Sequence, residues 1–120
     1  MKYLLLLTLN PDLFETFSQE ERDAIFAGHD ELIKLLRETG EMVSFVALAD
    51  PTNTKTVRVR DDQAVVTDGP YVEAKEFLAG YYMVECETPE RAAELAALIP
   101  DAKFQPIEVR PVMNAGGMEM

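Results

Sequence analysis

The chain has 120 residues, of which 48% are hydrophobic and 28% are charged. Both percentages are typical of a globular protein, and the length is that of one domain of about 100–150 residues. There are 22 acidic and 11 basic residues, which give a formal net charge of −11. Because phosphate groups are also negative, this charge argues against nucleic acid and anionic membrane surfaces as partners.

The cysteine content and the first residues indicate where the protein resides. Cys86 is the only cysteine, so no intrachain disulfide can form, as is usual in the reducing cytoplasm. The apolar run over residues 3–9 is shorter than the roughly 20 residues of a membrane span, and no small-residue cleavage site follows it. We therefore predict a cytoplasmic protein, with no membrane partner, in which residues 2–9 form a buried strand.

Familiar cofactor and metal motifs are missing from the sequence. It holds no CxxC or His-rich spacing that would suggest zinc. It also holds no glycine-rich nucleotide loop and no GxSxG nucleophile motif. We predict neither a cofactor nor a metal ion.

A long amphipathic helix and a second strand follow the first strand. Ser18 and Glu21 have the spacing of a capping box, and Gly40 is a typical left-handed stop, so the helix should end at about Thr39. A strand is expected over residues 42–49. One face of the helix carries a stripe of apolar residues with a histidine in its middle: Ile25, His29, Leu32, Ile33 and Leu36.

The second half of the chain predicts a hairpin, a long strand, a helix and a last strand. Asp61 and Asp62 form the tight turn of the hairpin, and Thr88 caps the helix. Pro106 and Pro111 indicate that the last strand lies at a sheet edge. The strands are expected over residues 56–60, 64–67, 77–87 and 104–112.

The order of these elements predicts the fold class. It is β-α-β-β-β-α-β, which becomes the ferredoxin-like plan β-α-β-β-α-β when the hairpin is set aside. We therefore predict an α+β sandwich with both helices on one sheet face, forming one domain over residues 1–113 with a flexible tail over 114–120. The other sheet face would be apolar, which indicates a homodimer with sheets packed face to face. We place on that face Tyr3, Leu5, Tyr81 and Met83.

His29 is the only histidine, and two interpretations of it are open. It could be a core histidine whose ring nitrogens bond to the backbone or to a nearby acid. It could instead be a general base, since histidine titrates near neutral pH. The sequence pattern alone leaves both interpretations standing.

The densest local signal is the run DGPYVEAKE over residues 68–76. Asp68 before a Gly-Pro pair is consistent with a simple turn that ends a strand. Alternatively the loop folds over a pocket, where Lys75 would pair with an anionic substrate. Arg58 on the hairpin has the same two interpretations, a solvated charge or an anion-binding group.

The run over residues 68–76, followed by LAGYY over 78–82, resembles the signature of the DGPF-type branch of the YCII-related proteins. The opening residues 1–6 and the helix histidine are also similar, so the resemblance covers almost the whole chain. Tyr71 stands where the family more usually has phenylalanine, which is a conservative departure.

The resemblance implies a dimeric α+β barrel of ferredoxin-like protomers, each with a pocket that holds a histidine and an aspartate as an acid-base pair. Carried over to this chain, the pair is His29 and Asp68, and we expect a hydrogen bond between them. The activity of the family is mostly unassigned, and some relatives are encoded beside extracytoplasmic-function sigma factors. The residues expected to bind substrate are Lys75, Arg58, Tyr82, Glu73 and Tyr71.

Two functions of different classes follow. The first is a cofactor-independent isomerase, lyase or hydrolase that acts on a small polar metabolite. In it His29 moves a proton, Asp68 orients the imidazole, and Lys75 or Arg58 holds a carboxylate or enolate oxygen. The second is a non-catalytic ligand-sensing or regulatory dimer, whose acidic surface could meet a basic partner such as a sigma-factor region. A purely structural role is the remaining alternative.

Overall fold

The computed structural model describes residues 1–70 and 76–117, which form an α+β fold. Its main sheet is antiparallel and has four strands in the order β2-β5-β1-β6. The strands are β1 (Lys2–Leu9), β2 (Met42–Ala47), β3 (Lys55–Arg60), β4 (Gln63–Asp68), β5 (Phe77–Glu85) and β6 (Ile107–Pro111). The helices are α1 (Pro11–Glu15), α2 (Gln19–Thr39) and α3 (Pro89–Ala97), and 3₁₀ turns cover Pro51–Asn53 and Pro100–Lys103.

The caps of the two long helices are the ones that the sequence predicts. At the start of α2, the Ser18 side chain accepts from the backbone N–H of Glu21, whose side chain accepts from the backbone N–H of Ser18. Gly40 ends the helix in the left-handed region, with φ of 79°. Thr88 caps α3 by accepting from the backbone N–H of Arg91. These bonds satisfy helix-end groups that otherwise lack partners, and so fix the helix bounds.

The hydrophobic core lies between the main sheet and the two long helices. Its fully buried side chains come from β1, β5, α2, α3 and the segment after α3: Leu5, Val84, Leu36, Leu95 and Ile99. Burial of each such side chain contributes roughly 1.5–3 kcal/mol to folding. The open face of the sheet therefore lies on the side away from the helices.

The register of β1 corrects one prediction. Tyr3 and Leu5, which the sequence placed on the open face, pair with Val84 and Tyr82 and are buried under the helices. The two faces of β1 are both apolar, so alternation gave no signal, and a shift of one residue exchanges the faces. The half-buried residues of the open face are instead Leu4, Leu6, Tyr81 and Met83.

Gly80 in the middle of β5 allows a close approach of the neighbouring strand. A Cβ atom at this position would overlap the carbonyl oxygen of Val46 on β2. The β1–β5 register also shifts between Leu7 and Thr8, beside this glycine. Both features explain why a glycine occupies the middle of this strand, and the predicted edge position of β6 is confirmed.

The hairpin of β3 and β4 is a separate two-stranded sheet. Asp61 and Asp62 have positive φ values of 50° and 62°, as the tight turn requires. Val57, Val59 and Val66 occupy the same hairpin face and are 60%, 71% and 59% exposed. A hairpin with an uncovered apolar face is marginally stable alone in water, which suggests that another surface covers it.

Residues 114–117 of the predicted tail follow β6 without helix or strand, and residues 118–120 lie outside the described part of the chain. In the part of the chain that the structure describes, no helix is both long and apolar enough to cross a membrane.

Candidate active site

A cavity of about 330 Å³ lies between α2 and the main sheet. This volume is within the range of about 300–1,000 Å³ that is typical of small-molecule sites. The wall is mostly aromatic and aliphatic, while one end carries His29, Tyr82 and Asp101. Among the apolar lining residues are Phe14, Ile25, Phe26, Ile33 and Phe45.

His29 connects the two other polar residues of this end. Its Nε2 lies 2.7 Å from Oδ1 of Asp101, and its Nδ1 lies 2.6 Å from the hydroxyl oxygen of Tyr82. The imidazole and the tyrosine ring are nearly parallel, with 5.9 Å between their centroids. Both distances are those of strong hydrogen bonds, so both ring nitrogens of His29 have partners.

The chemistry of the two partners determines where the protons lie. An ionised Asp101 only accepts, so Nε2 of His29 carries a proton and donates it to Oδ1. In the neutral imidazole Nδ1 then accepts, and the Tyr82 hydroxyl donates to it. The result is a directed chain of hydrogen bonds from Tyr82 through His29 to Asp101.

The surroundings of Tyr82 keep its hydroxyl protonated. Burial, followed by the negative charges of Asp101 and Asp30, raises the pKa of Tyr82 from 10.0 to about 12. Each of these factors disfavours the tyrosinate. Tyr82 therefore acts in this site as a hydroxyl group at all physiological pH values.

Three separate elements hold the three residues. His29 stands on the apolar stripe of α2, Tyr82 on the helix-facing side of β5, and Asp101 in the 3₁₀ turn after α3. Gly28 lets α2 and this turn approach, because a Cβ atom there would lie 2.5 Å from Cγ of Pro100. Residues 28 and 100 thus set the spacing of the neighbours His29 and Asp101.

The predicted hydrogen bond between His29 and Asp68 is not the one that forms in the chain. Asp68 ends β4 on the separate hairpin, its side chain is 85% exposed, and it pairs with Lys55. The prediction required β4 to bring this carboxylate over the end of the main sheet. The acid that bonds His29 is Asp101, whose side chain is only 12% exposed.

The structure places the residues predicted to bind substrate as follows. Tyr82 lines the cavity. Arg58 lies on the hairpin and is not among the described residues that line the cavity. Tyr71, Glu73 and Lys75 lie outside the described residues.

Asp101 is a site residue that the sequence-based prediction missed. After Pro100 it reads as the end of α3, and its histidine partner is 72 positions away. The one clue is an acid among the apolar residues Ile99, Ala102 and Phe104, where an unpaired carboxylate would be costly. In the described part of the chain, no group of three or more His, Cys, Asp or Glu residues is arranged to hold a metal ion.

Comparison with known proteins agrees with the resemblance seen in the sequence. The chain is 26% identical over 114 residues to an uncharacterised protein of Rhizobium meliloti (strain 1021), and the match covers 93% of this chain and 92% of that protein. The family model of the YCII-related domain matches residues 1–115. Because that match spans nearly the whole chain, the protein belongs to the YCII-related family.

Proposed function

We propose that the protein is an enzyme that moves a proton to or from a small molecule bound in the cavity beside His29. One observation carries the proposal: a single imidazole bonds both a carboxylate and a tyrosine hydroxyl at one end of a ligand-sized cavity. These side chains supply the acid, the base and the orienting group themselves. A dissociable cofactor is therefore not needed for this step.

The hydrogen-bond chain supports a proton relay. A C–H, O–H or N–H group of the ligand that lies against the Tyr82 oxygen can pass its proton to that oxygen while the tyrosine proton moves to Nδ1 of His29. The histidine is then an imidazolium, and the neighbouring carboxylate of Asp101 stabilises its positive charge. A concerted transfer avoids a free tyrosinate, which the raised pKa of Tyr82 disfavours.

The relay suits some reaction classes better than others. Isomerisation and elimination both begin with removal of a proton, and in the reverse direction the imidazolium returns one through Tyr82. Such acid-base help commonly contributes about 10²–10⁴-fold to a rate. An isomerase or a lyase is therefore our first choice, ahead of a hydrolase.

A non-catalytic ligand sensor is the second candidate, since the same cavity could hold a ligand without changing it. The sequence-based idea of a regulatory dimer that contacts a basic sigma-factor region belongs to this candidate. The acidic net charge of −11 favours a basic partner of this kind. The two candidates differ in turnover, which only the enzyme shows.

Deuterium uptake tests the enzyme even while its substrate is unidentified. A panel of small hydroxy ketones, which have both an O–H donor and an acidic C–H group, is incubated with the protein in D₂O, and incorporation at carbon is followed by mass spectrometry. We expect at least one compound to exchange, and His29→Asn to slow that exchange by about 10²-fold or more. Glu38→Gln, on the exposed face of α2, is the control and should leave the rate unchanged.

Saturable binding of a panel compound with no exchange in any would exclude proton transfer to carbon and support the sensor. Equal rates in His29→Asn and the wild type would remove His29 from the reaction.

We also propose that the protein is a homodimer with sheets packed through their open faces. Leu4 and Leu6 of β1 face Met83 and Tyr81 of β5 there, and all four are only half-buried in the single chain. Contiguous apolar side chains of this kind mark protein interfaces. The exposed valines of the hairpin form a second apolar surface that a partner chain would cover. A dimer built in this way is the barrel that the family resemblance implies.

A further inference from the structure

The side chains around the cavity indicate which class of molecule it binds. We propose that the cavity takes an apolar molecule whose polar head group donates a hydrogen bond, such as an alcohol or an amine, and that it rejects carboxylates and phosphates. The inference rests on the same cavity as the proposed function. It concerns binding selectivity, however, and does not require turnover.

The wall of the cavity favours an apolar body. Phe14, Ile25 and Ile33 line it, and the rings of Phe26 and Phe45, which are 58% and 44% exposed, stand where solvent reaches the lining. A ligand that covers these rings removes apolar surface from water, which is the main favourable contribution to binding in such a site.

The charges of the lining oppose an anion. Its described charged residues other than the histidine are Asp30 and Asp101, both acids, and no lysine or arginine is among them. Asp101 is engaged with His29, whereas the Asp30 carboxylate has no hydrogen-bond or ion-pair partner among the described residues. A further negative charge in this partly enclosed space is repelled more strongly than in bulk water. The effect of both carboxylates on the pKa of Tyr82 has the same origin.

The hydrogen-bond direction at Tyr82 selects the head group. With a neutral imidazole, the Tyr82 hydroxyl proton is directed at Nδ1 of His29, so the tyrosine oxygen offers lone pairs to a ligand. A ligand O–H or N–H group can donate to them, while a carboxylate or ether has no proton to give. A protonated amine is attracted in addition by the negative charge of Asp30, which lines the cavity.

This selectivity differs from the anionic or small polar substrate that the sequence suggested. That expectation depended on Lys75 and Arg58. Arg58 lies outside the cavity lining, and Lys75 is beyond the described residues. The described lining residues disfavour a negatively charged ligand and favour a positively charged one.

Three probes with one carbon skeleton test the inference: phenethyl alcohol, phenethylamine and phenylacetate. Each is titrated into the full-length, isotope-labelled protein, and binding is followed by the NMR shifts of the His29 imidazole and the Phe45 amide. We expect the alcohol and the amine to bind, and phenylacetate to bind about tenfold more weakly or worse.

Two variants assign the selectivity to residues. Asp30→Asn should weaken the amine relative to the alcohol and improve phenylacetate by several-fold, because one negative charge is removed. Tyr82→Phe should weaken the alcohol and the amine together. Glu38→Gln, which removes a charge outside the cavity, is the matched control and should change none of the three affinities.

Either of two results overturns the inference: phenylacetate that binds as tightly as the alcohol, or no binding of any probe at the cavity. Binding with the expected order but no deuterium uptake would leave this inference intact and exclude only the proposed enzyme. Deuterium uptake by an anionic substrate would overturn this inference and support the proposed enzyme.

Discussion

The imidazole of His29 and the carboxylate of Asp101 form a 2.7 Å hydrogen bond although 72 positions separate them in the chain. The bond links the long helix α2 to the 3₁₀ turn after α3. It therefore contributes to the packing of the fold and also orients the imidazole that faces the cavity, with Nε2 toward the carboxylate.

Asp101→Asn separates these two contributions. The amide oxygen can still accept from His29, so the fold should lose no more than about 1–2 kcal/mol of unfolding free energy. The stabilising negative charge is lost, so deuterium exchange should slow by about 10²-fold or more. Urea unfolding and the exchange assay measure the two effects. An unchanged exchange rate would show that Asp101 is purely structural. The variant Asp68→Asn, measured in the same assay, tests the acid that was predicted from the sequence.

Gly28→Ala tests the spacing between α2 and the 3₁₀ turn. Alanine is preferred to glycine inside a helix by about 1 kcal/mol, yet its methyl group would overlap the ring of Pro100. Because overpacking costs about 1–3 kcal/mol, we expect a net loss of stability and a changed NMR shift of the His29 ring. Lys34→Ala, on the exposed side of α2, is the control and should stay within about 0.5 kcal/mol of the wild type.

Leu5→Asp and Met83→Asp test the register and the dimer together. Leu5 is fully buried under the helices, so a carboxylate there should unfold the protein. Met83 is half-buried on the open sheet face, so its replacement should leave a folded chain of monomer mass in light scattering. A wild type that already has monomer mass at micromolar concentration would contradict the dimer.

Tyr82→Phe should change how stability depends on alkaline pH. The pKa of Tyr82 is about 12 in the folded protein and near 10 when it is unfolded, so between these values the folded state holds more protons. The contribution of Tyr82 to the free energy of unfolding is therefore complete below pH 10 and is lost as the pH rises toward 12. Thermal unfolding should show the stability of the wild type falling toward that of the variant over this interval. Parallel curves would contradict the raised pKa.

Glu41→Gln should change how stability depends on acidic pH. Two hydrogen bonds from the Arg91 guanidinium, of 2.8 and 2.9 Å, lower the pKa of Glu41 below the ordinary 4.5. The stabilisation is present above pH 4.5 and is lost as the pH falls through the lowered pKa. The variant should therefore melt below the wild type at pH 7 and at a similar temperature near pH 3. Because Arg91 is partly exposed, added salt should reduce the difference at pH 7.

Local signals predicted most of the secondary structure. The capping box at Ser18, the stop at Gly40 and the Thr88 cap act through neighbours within a few residues, and each is present in the fold. The short helix α1 was missed, although Asn10 caps it by accepting from the backbone N–H of Asp12. Its five residues are too few to show a periodic apolar face.

Contacts between distant segments account for the predictions that were wrong. The apolar stripe on α2 correctly indicated that His29 faces the sheet. No feature of the sequence indicated that the 3₁₀ turn with Asp101 lies beside it. The face of β1 that is buried depends on its register with β5, and Leu4 and Leu5 are equally apolar. The family membership is confirmed, whereas the roles of Asp68 and Lys75 remain predictions.

The hairpin of β3 and β4 should open to solvent at a much lower free-energy cost than the main sheet. Among the described residues its two strands pair only with each other, so its amides can open to solvent while the four-stranded sheet stays closed. Amides of β1 and β5, by contrast, lie in the middle of the sheet and exchange only when the domain unfolds. If a partner chain covers the hairpin valines, hydrogen exchange in β3 and β4 slows as the protein concentration rises. The hydrogen-exchange rate of this hairpin then reports the fraction of chains that have assembled with a partner.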